Sequence, residues 1–191
     1  MKIEEFLEKK EQIQIELLRM LVLEGGSASI NELRSHVKLS KSAFDQYIDD
    51  IEMIGRMMKT KISVRKNEFQ VVLDLDEQTS LEKIMLFLVQ QSVKYQILTY
   101  LLEHQQASSV RLATAFTISE SSVFRKIKEL NHLLKEFSLQ IKNGQIQGEE
   151  LQIRYFYYSL FQFFPESQRP QYLQDTPDKR PETKKRLEMR L

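Results

Sequence analysis

The chain repeats itself. A shift of 79 positions aligns Ser29 with Ser108, Leu33 with Leu112, Leu39 with Ile118, Ser40 with Ser119, Ile48 with Ile127 and Ile62 with Ile141. The matched serines stand where helices begin, and the matched apolar residues stand where a core is needed. Agreement of caps and core together describes one supersecondary unit present twice. The 191 residues therefore read as two small tandem units rather than one large domain.

The content of each copy follows from its local pattern. In the first, residues 3–23 carry Ile3, Phe6, Leu7, Leu17, Leu18, Leu21 and Val22 at helical spacing, and Gly25-Gly26 ends the run. Ser29 caps a short helix from Ile30 to Val37. Ser40 caps a longer one with Phe44, Tyr47, Ile48, Ile51 and Ile54 on one side. The stretches KISVRK and FQVVLDL alternate and surround Asn67-Glu68, a hairpin signal. The second copy repeats this order. It has a helical region over 80–104 with a break near Gln91-Ser92, a Ser108-capped helix through Ala115 and the Ser119-capped helix ESSVFRKIKELNHLL. A tighter hairpin follows at Asn143-Gly144.

Two short helices meeting at a tight turn, followed by a β-hairpin, define a winged helix-turn-helix. The low content of Gly (5) and Pro (4) suits a helical fold. The expected class is mainly α with small β-hairpins (α+β). It comprises a first winged-helix domain over 1–78 and a second over 79–148. An aromatic helix over 149–164 and a polar tail over 165–191 follow. The tail holds all four prolines and is expected to be disordered or loosely helical. The aromatic helix carries one stripe of Leu151, Tyr155, Tyr158 and Phe161 or Gln162 and another of Ile153, Phe156, Tyr157 and Phe164. It is apolar on more than one side, which suits packing on its own unit or a dimer or interdomain contact.

Several chemistries are disfavoured. With no Cys there is no disulfide, thiolate zinc site or cysteine nucleophile. No Gly-rich phosphate loop or His-x-x-x-His pair occurs. The paired carboxylates Asp49-Asp50 and Glu149-Glu150 are sequence neighbours, which on a helix point about 100° apart. No catalytic residue, metal site, cofactor or small-molecule substrate is expected, and the chain reads as a non-enzyme. The charged start MKIEEFLEKKEQ is unlike a secretory signal, and the apolar runs are too short to span a bilayer. A cytoplasmic location without membrane association is expected.

Charge separates the two copies. Over 40–54, Lys41 faces Asp45, Asp49, Asp50 and Glu52; over 119–135, Arg125, Lys126, Lys128 and Lys135 face only Glu120 and Glu129. Phosphate repels the first helix and attracts the second. The second unit is expected to read sequence, and the first to support it through backbone contacts. In the second helix Ser119 caps, and its free amides can meet phosphate. Ser121 and Ser122 can donate to bases or backbone. Arg125 suits a bidentate guanine contact, Lys126 and Lys128 suit phosphate, and Phe124 suits either a thymine methyl or packing on the wing. In the first unit, Ser42 on the helix and Lys61, Arg65 and Lys66 on the wing are the expected contacts.

The stretch SESSVFRKIKELNHLLKEFSLQIKNGQIQGEELQIRYFYYSLF closely resembles the helix-turn-helix region of Mga-like regulators, the M-protein trans-acting positive regulator family of Gram-positive bacteria. IKNG.I.GEE.QIRYFY is its more specific part. The first unit resembles the family's upstream winged helix more loosely, so the resemblance spans about residues 1–164. It implies a virulence-type transcription regulator that binds double-stranded promoter DNA. It carries over to Ser121, Ser122, Arg125 and Lys128 on the helix and to Lys142, Asn143 and Gly144 on the wing. Family members usually continue into sugar-transport-type regulatory domains phosphorylated on histidine and a self-associating C-terminal domain. In this sequence His36, His104 and His132 lie inside the winged units and a polar tail follows residue 164. Phosphohistidine control is therefore not expected, and any homodimer is expected to be weak. The rival reading is a tandem winged-helix module that binds protein, which the acidic first helix and the aromatic 149–164 helix would suit.

Overall fold

The computed structural model describes residues 1–169. The chain is mainly helical with small antiparallel sheets, in a winged helix-like arrangement that occurs twice. It forms two compact units. One is Leu7–Gln90; the other joins Met1–Phe6 to the chain from Gln91 onward.

In the Leu7–Gln90 unit, α1 (Lys9–Leu23), β1 (Ser27–Ser29), α2 (Ile30–Val37), α3 (Lys41–Met58), β2 (Ile62–Lys66), β3 (Gln70–Leu75) and α4 (Leu81–Gln91) follow in order. Ser40 caps α3 by accepting from the Ala43 amide at 3.2 Å, which satisfies a donor the helix cannot. Phe44, Ile48 and Ile51 recur at helical spacing on α3 and are fully buried, with Leu33 of α2 and Val71 of β3. Burial of side chains this size contributes about 1.5–3 kcal/mol each. The sheet has the order β1-β3-β2 and is antiparallel throughout, with Ala28 opposite Val71 and Val64 opposite Leu73.

In the other unit, α5 (Val93–His104), α6 (Ser109–Phe116), α7 (Glu120–Leu134), β4 (Gln140–Lys142), β5 (Gln145–Gln147) and α8 (Glu150–Gln162) follow. Ser92, Ser108 and Ser119 cap α5, α6 and α7, accepting from the amides of Tyr95, Arg111 and Ser122. Of the two stripes of α8, Phe156 and Tyr157 are buried together with Leu160 and Phe161. The Tyr157 hydroxyl donates to the Leu98 carbonyl at 2.8 Å, and Phe156 meets Phe137 edge-on at 5.2 Å. The helix therefore packs on its own unit. The other stripe, Leu151, Tyr155 and Tyr158, is exposed and ends on the exposed Gln162, because Phe161 turns into the core.

The repeat extends to backbone conformation. Lys38 and Thr117, at matched positions, both end the second helix of the motif in the left-handed region, at φ 53° and 55°. The next residue then closes the same turn: the Leu39 amide donates to the Arg34 carbonyl, and Ile118 to Ala113. The cap–turn–cap sequence of a helix-turn-helix thus has one geometry in both units.

Three expectations change. The unit boundary falls between Gln90 and Gln91, not between 78 and 79, because α4 belongs to the first unit. The helix expected over 3–23 is broken: Ile3–Phe6 is a 3-10 turn and α1 begins at Lys9. The break is at Glu8, whose backbone is extended and whose amide donates to the Glu11 carboxylate at 2.8 Å. The leading turn joins the second unit, where Lys94 Nζ donates to the Glu5 carbonyl at 2.6 Å. The polar tail begins with a 3-10 turn, Glu166–Gln168; the expectation for 170–191 lies outside the described residues.

Candidate nucleic-acid interface

The exposed surface of the second unit is assembled from α7, the start of α6 and the wing. On α7 the Ser119 hydroxyl receives the Ser122 amide at 3.2 Å and lies 2.9 Å from the hydroxyls of both Ser121 and Ser122. Three hydroxyls therefore crowd the first turn. Ser121 is exposed and Ser122 half-buried. The acid of this turn, Glu120, is occupied: Ser109 Oγ donates to its carboxylate at 2.7 Å, which also joins the starts of α6 and α7.

One and two turns further, Arg125 and Lys128 are exposed and make no side-chain hydrogen bond or ion pair among the described residues. Phe124, beside them, is 60% exposed, so it does not pack on the wing. A cation without an internal partner keeps its Coulomb attraction for an external anion.

Lys126 does not belong to this surface. It is 6% exposed, its ammonium 3.1 Å from Glu129, and the same carboxylate lies 3.7 Å from the buried Lys94 of α5. The apolar period of α7 in the sequence, Val123, Ile127, Leu130 and Leu134, is not quite its buried face. Leu133 and Lys126 join the buried face while Ile127 is half-buried, because α5 packs on that side of α7. The expectation that Lys126 binds phosphate is corrected accordingly.

The wing is held by side chains that sequence reading missed. Asn131, near the end of α7, imitates a strand: its amide Nδ2 donates to the Ile141 carbonyl at 3.0 Å and its Oδ1 accepts the Ile141 amide. At the matched position of the first unit, Glu52 accepts the Val64 amide at 2.9 Å. At the wing tip Asn143 and Gly144 both have positive φ, 54° and 73°, as a two-residue hairpin turn requires. The tip is seated on the loop before α6: the Ala107 amide donates to the Gly144 carbonyl at 2.9 Å, and Gln106 Nε2 to the Asn143 carbonyl at 3.3 Å. Lys142 and Asn143 are exposed there. Neither Gln106 nor Asn131 carries a sequence signal, since a polar residue that clamps backbone looks like any solvated one.

The first unit differs. Lys66 of its wing spans back to α3, 2.8 Å from Asp49 and 3.2 Å from Asp45. Partial desolvation pulls the Lys66 pKa down, but hydrogen bonds to Asp49 and Asp45 outweigh it and the net direction is up. Pairing with α3's own acids leaves Lys66 less charge to offer an external anion than Arg65. Lys61 lies 3.9 Å from Asp74, with both side chains exposed. Arg65 and Ser42 are exposed, and Arg65 has no partner among the described residues.

A capped helix with hydroxyls in its first turn and two exposed cations, followed by a seated hairpin, has the form of a winged helix-turn-helix module. Residues 77–161 match the family described as the Mga helix-turn-helix domain. The match covers less than half of the chain, and over those residues the chain is similar to the helix-turn-helix part of Mga-like regulators. Residues 1–76 lie outside the match. No curated protein matches the chain. No helix among the described residues is long and apolar enough to cross a membrane, and none of their acidic and histidine side chains cluster as a metal site.

Proposed function

We propose that the chain is a cytoplasmic, non-enzymatic regulator of transcription that reads double-stranded promoter DNA through its second unit. In this reading α7 lies in the major groove. Arg125 reads a base edge, guanine by preference; Lys128 holds phosphate; Ser121 and Ser122 and the α7 amides meet backbone or bases; and Phe124 touches a thymine methyl. Lys142 and Asn143 approach the adjacent backbone. The first unit supports through Ser42, Lys61 and Arg65. The observation that carries the reading is the pair Arg125 and Lys128, exposed and unpaired on α7, where the matched helix α3 places Gln46 and Asp49. The test is a footprint on the protein's own upstream region at two salt concentrations. Retention should fall steeply with salt, and Arg125→Ala should cost about 1–3 kcal/mol of binding. Salt-independent retention, or none with the fold intact, refutes the reading.

A second reading has one specific support. Leu151, Tyr155 and Tyr158 form an exposed stripe on α8, with Tyr155 61% and Tyr158 64% exposed. Such a face suits a protein partner, including a second copy. A stable complex that buries α7 and excludes duplex would favour this alternative.

A further inference from the structure

A second guanidinium of this unit is fixed in place. Tyr100 of α5 stacks on His104 with ring centroids 4.0 Å apart and planes 8° apart, and meets Phe116 edge-on at 5.8 Å. The ring is thus held on two sides. Its hydroxyl accepts a hydrogen bond from Arg111 Nε at 2.7 Å, and the Arg111 guanidinium carbon lies 5.8 Å from the ring centroid. Arg111 is exposed and has no acidic partner among the described residues.

This geometry leaves a defined remainder. Of the five guanidinium N–H donors, the one on Nε is used by Tyr100. The two terminal nitrogens remain as a planar fork, which fits two oxygens of one phosphate. A fork already oriented loses less side-chain freedom on binding than a loose one. Its place is also defined. Arg111 is in the first turn of α6, whose Ser109 joins the first turn of α7, and the loop preceding α6 carries the wing tip at Ala107. The start of α6, which carries Arg111, therefore lies beside the first turn of α7 and the wing tip.

Comparison of the two units points the same way. The positions matching Tyr100 and Arg111 are Leu21, which is fully buried, and Glu32. The ring platform and the cation occur together in the second unit and neither occurs in the first. The change from Glu32 to Arg111 accompanies those from Gln46 to Arg125 and from Asp49 to Lys128.

We infer that Arg111 is a backbone-phosphate clamp of the second unit, held in register by Tyr100. The inference rests on the DNA reading of that unit and adds a contact that positions α7 without reading sequence. The test uses the full chain, a labelled mixed-sequence DNA duplex and a duplex of the protein's own upstream region, titrated over a series of salt concentrations. Arg111→Gln keeps an amide able to reach Tyr100 and removes the charge. Affinity should fall about tenfold, by the same factor on both duplexes, as loss of a charged hydrogen bond predicts. The log–log salt slope should become shallower by about 0.9. Tyr100→Phe should weaken binding a few-fold with the slope unchanged. If Arg111→Gln does not fold, Arg111→Lys serves: it should keep the slope and lose affinity, because an ammonium is no fork.

An unchanged slope and affinity in Arg111→Gln, while the unaltered chain binds, overturns the clamp and leaves the DNA reading standing. A lowered Tm with an unchanged slope also overturns it, since Arg111 is then a packing group. Failure of the unaltered chain to bind either duplex overturns the DNA reading and the clamp together.

Discussion

Replacing Gly144 by alanine would test whether the second wing is seated as described. Gly144 has φ +73°, and a Cβ there would stand 2.0 Å from the Ala107 carbonyl oxygen and 2.9 Å from its carbonyl carbon. Both are backbone atoms, so no side chain can swing away. The left-handed backbone alone costs an L-residue about 1–2 kcal/mol, offset by about 0.4–1 from the stiffer unfolded chain. Relief of the overlap requires the tip to lift, which loses the 2.9 Å bond from the Ala107 amide to Gly144, worth about 1 kcal/mol. The sum is about 1–2.6 kcal/mol. Gly25 is the internal control: its φ is +69° but a Cβ there meets nothing within 4 Å, so Gly25→Ala should cost only about 0.5–1 kcal/mol. Urea unfolding followed by circular dichroism measures both variants. Amide exchange at Ala107 measures the wing directly, and about 2 kcal/mol of local destabilisation should speed it roughly 30-fold. Equal costs for Gly144→Ala and Gly25→Ala, with Ala107 still protected, would refute the seating of the wing on Ala107.

The two lysines of α7 should separate cleanly. Lys126→Ala should cost about 1–3 kcal/mol of stability through lost packing and a weakened pairing of Glu129, and leave the salt slope of duplex binding alone. Lys128→Ala should change stability by less than about 0.5 kcal/mol and make that slope shallower by about 0.9; the reverse pattern would show that the buried and exposed lysines have been misassigned. In the first unit, Asp76 accepts from the hydroxyls of Thr60 and Thr79 and from the amides of Lys61 and Gln78, and the Thr60 and Thr79 bonds lead in holding its pKa well below the ordinary carboxylate value. A depressed folded-state pKa means stability that is present above the unfolded value and lost as pH falls beneath it. Asp76→Asn should therefore flatten the acid limb of stability below about pH 4, and an unaltered limb in denaturation across pH would count against these bonds.

Much of the architecture was legible because its causes are local. An N-cap serine before an apolar period, as at Ser40, Ser108 and Ser119, satisfies amides within a single turn, so sequence proximity carries the information. Asn143-Gly144 likewise declares a turn that needs positive φ at both positions. The burial of Lys126 and the pairing of Lys66 were not legible because their surroundings are set by other elements. Nothing in RKIKEL says that α5 brings Lys94 to the carboxylate Lys126 uses. Nothing in VRK says that two acids distant in sequence meet Lys66. Arg111 was missed for the same reason, since Tyr100 lies eleven residues away on a different helix.

By itself, then, the sequence determined the repeated unit, most of its helices and turns, the caps at Ser40, Ser108 and Ser119 though not at Ser29, whose side chain makes no cap bond, and the reversal of charge between α3 and α7. Each of these depends on residues a few positions apart or on simple counting. Tertiary structure alone decided which cations remain available. Arg125 and Lys128 face outward without partners, while Lys126 and Lys66 are neutralised by carboxylates placed beside them. It also decided where the units divide, at Gln90 and Gln91 rather than at the end of the first hairpin. An ion's free charge and a helix's allegiance are properties of its neighbours in space, and those neighbours are chosen only when the chain folds.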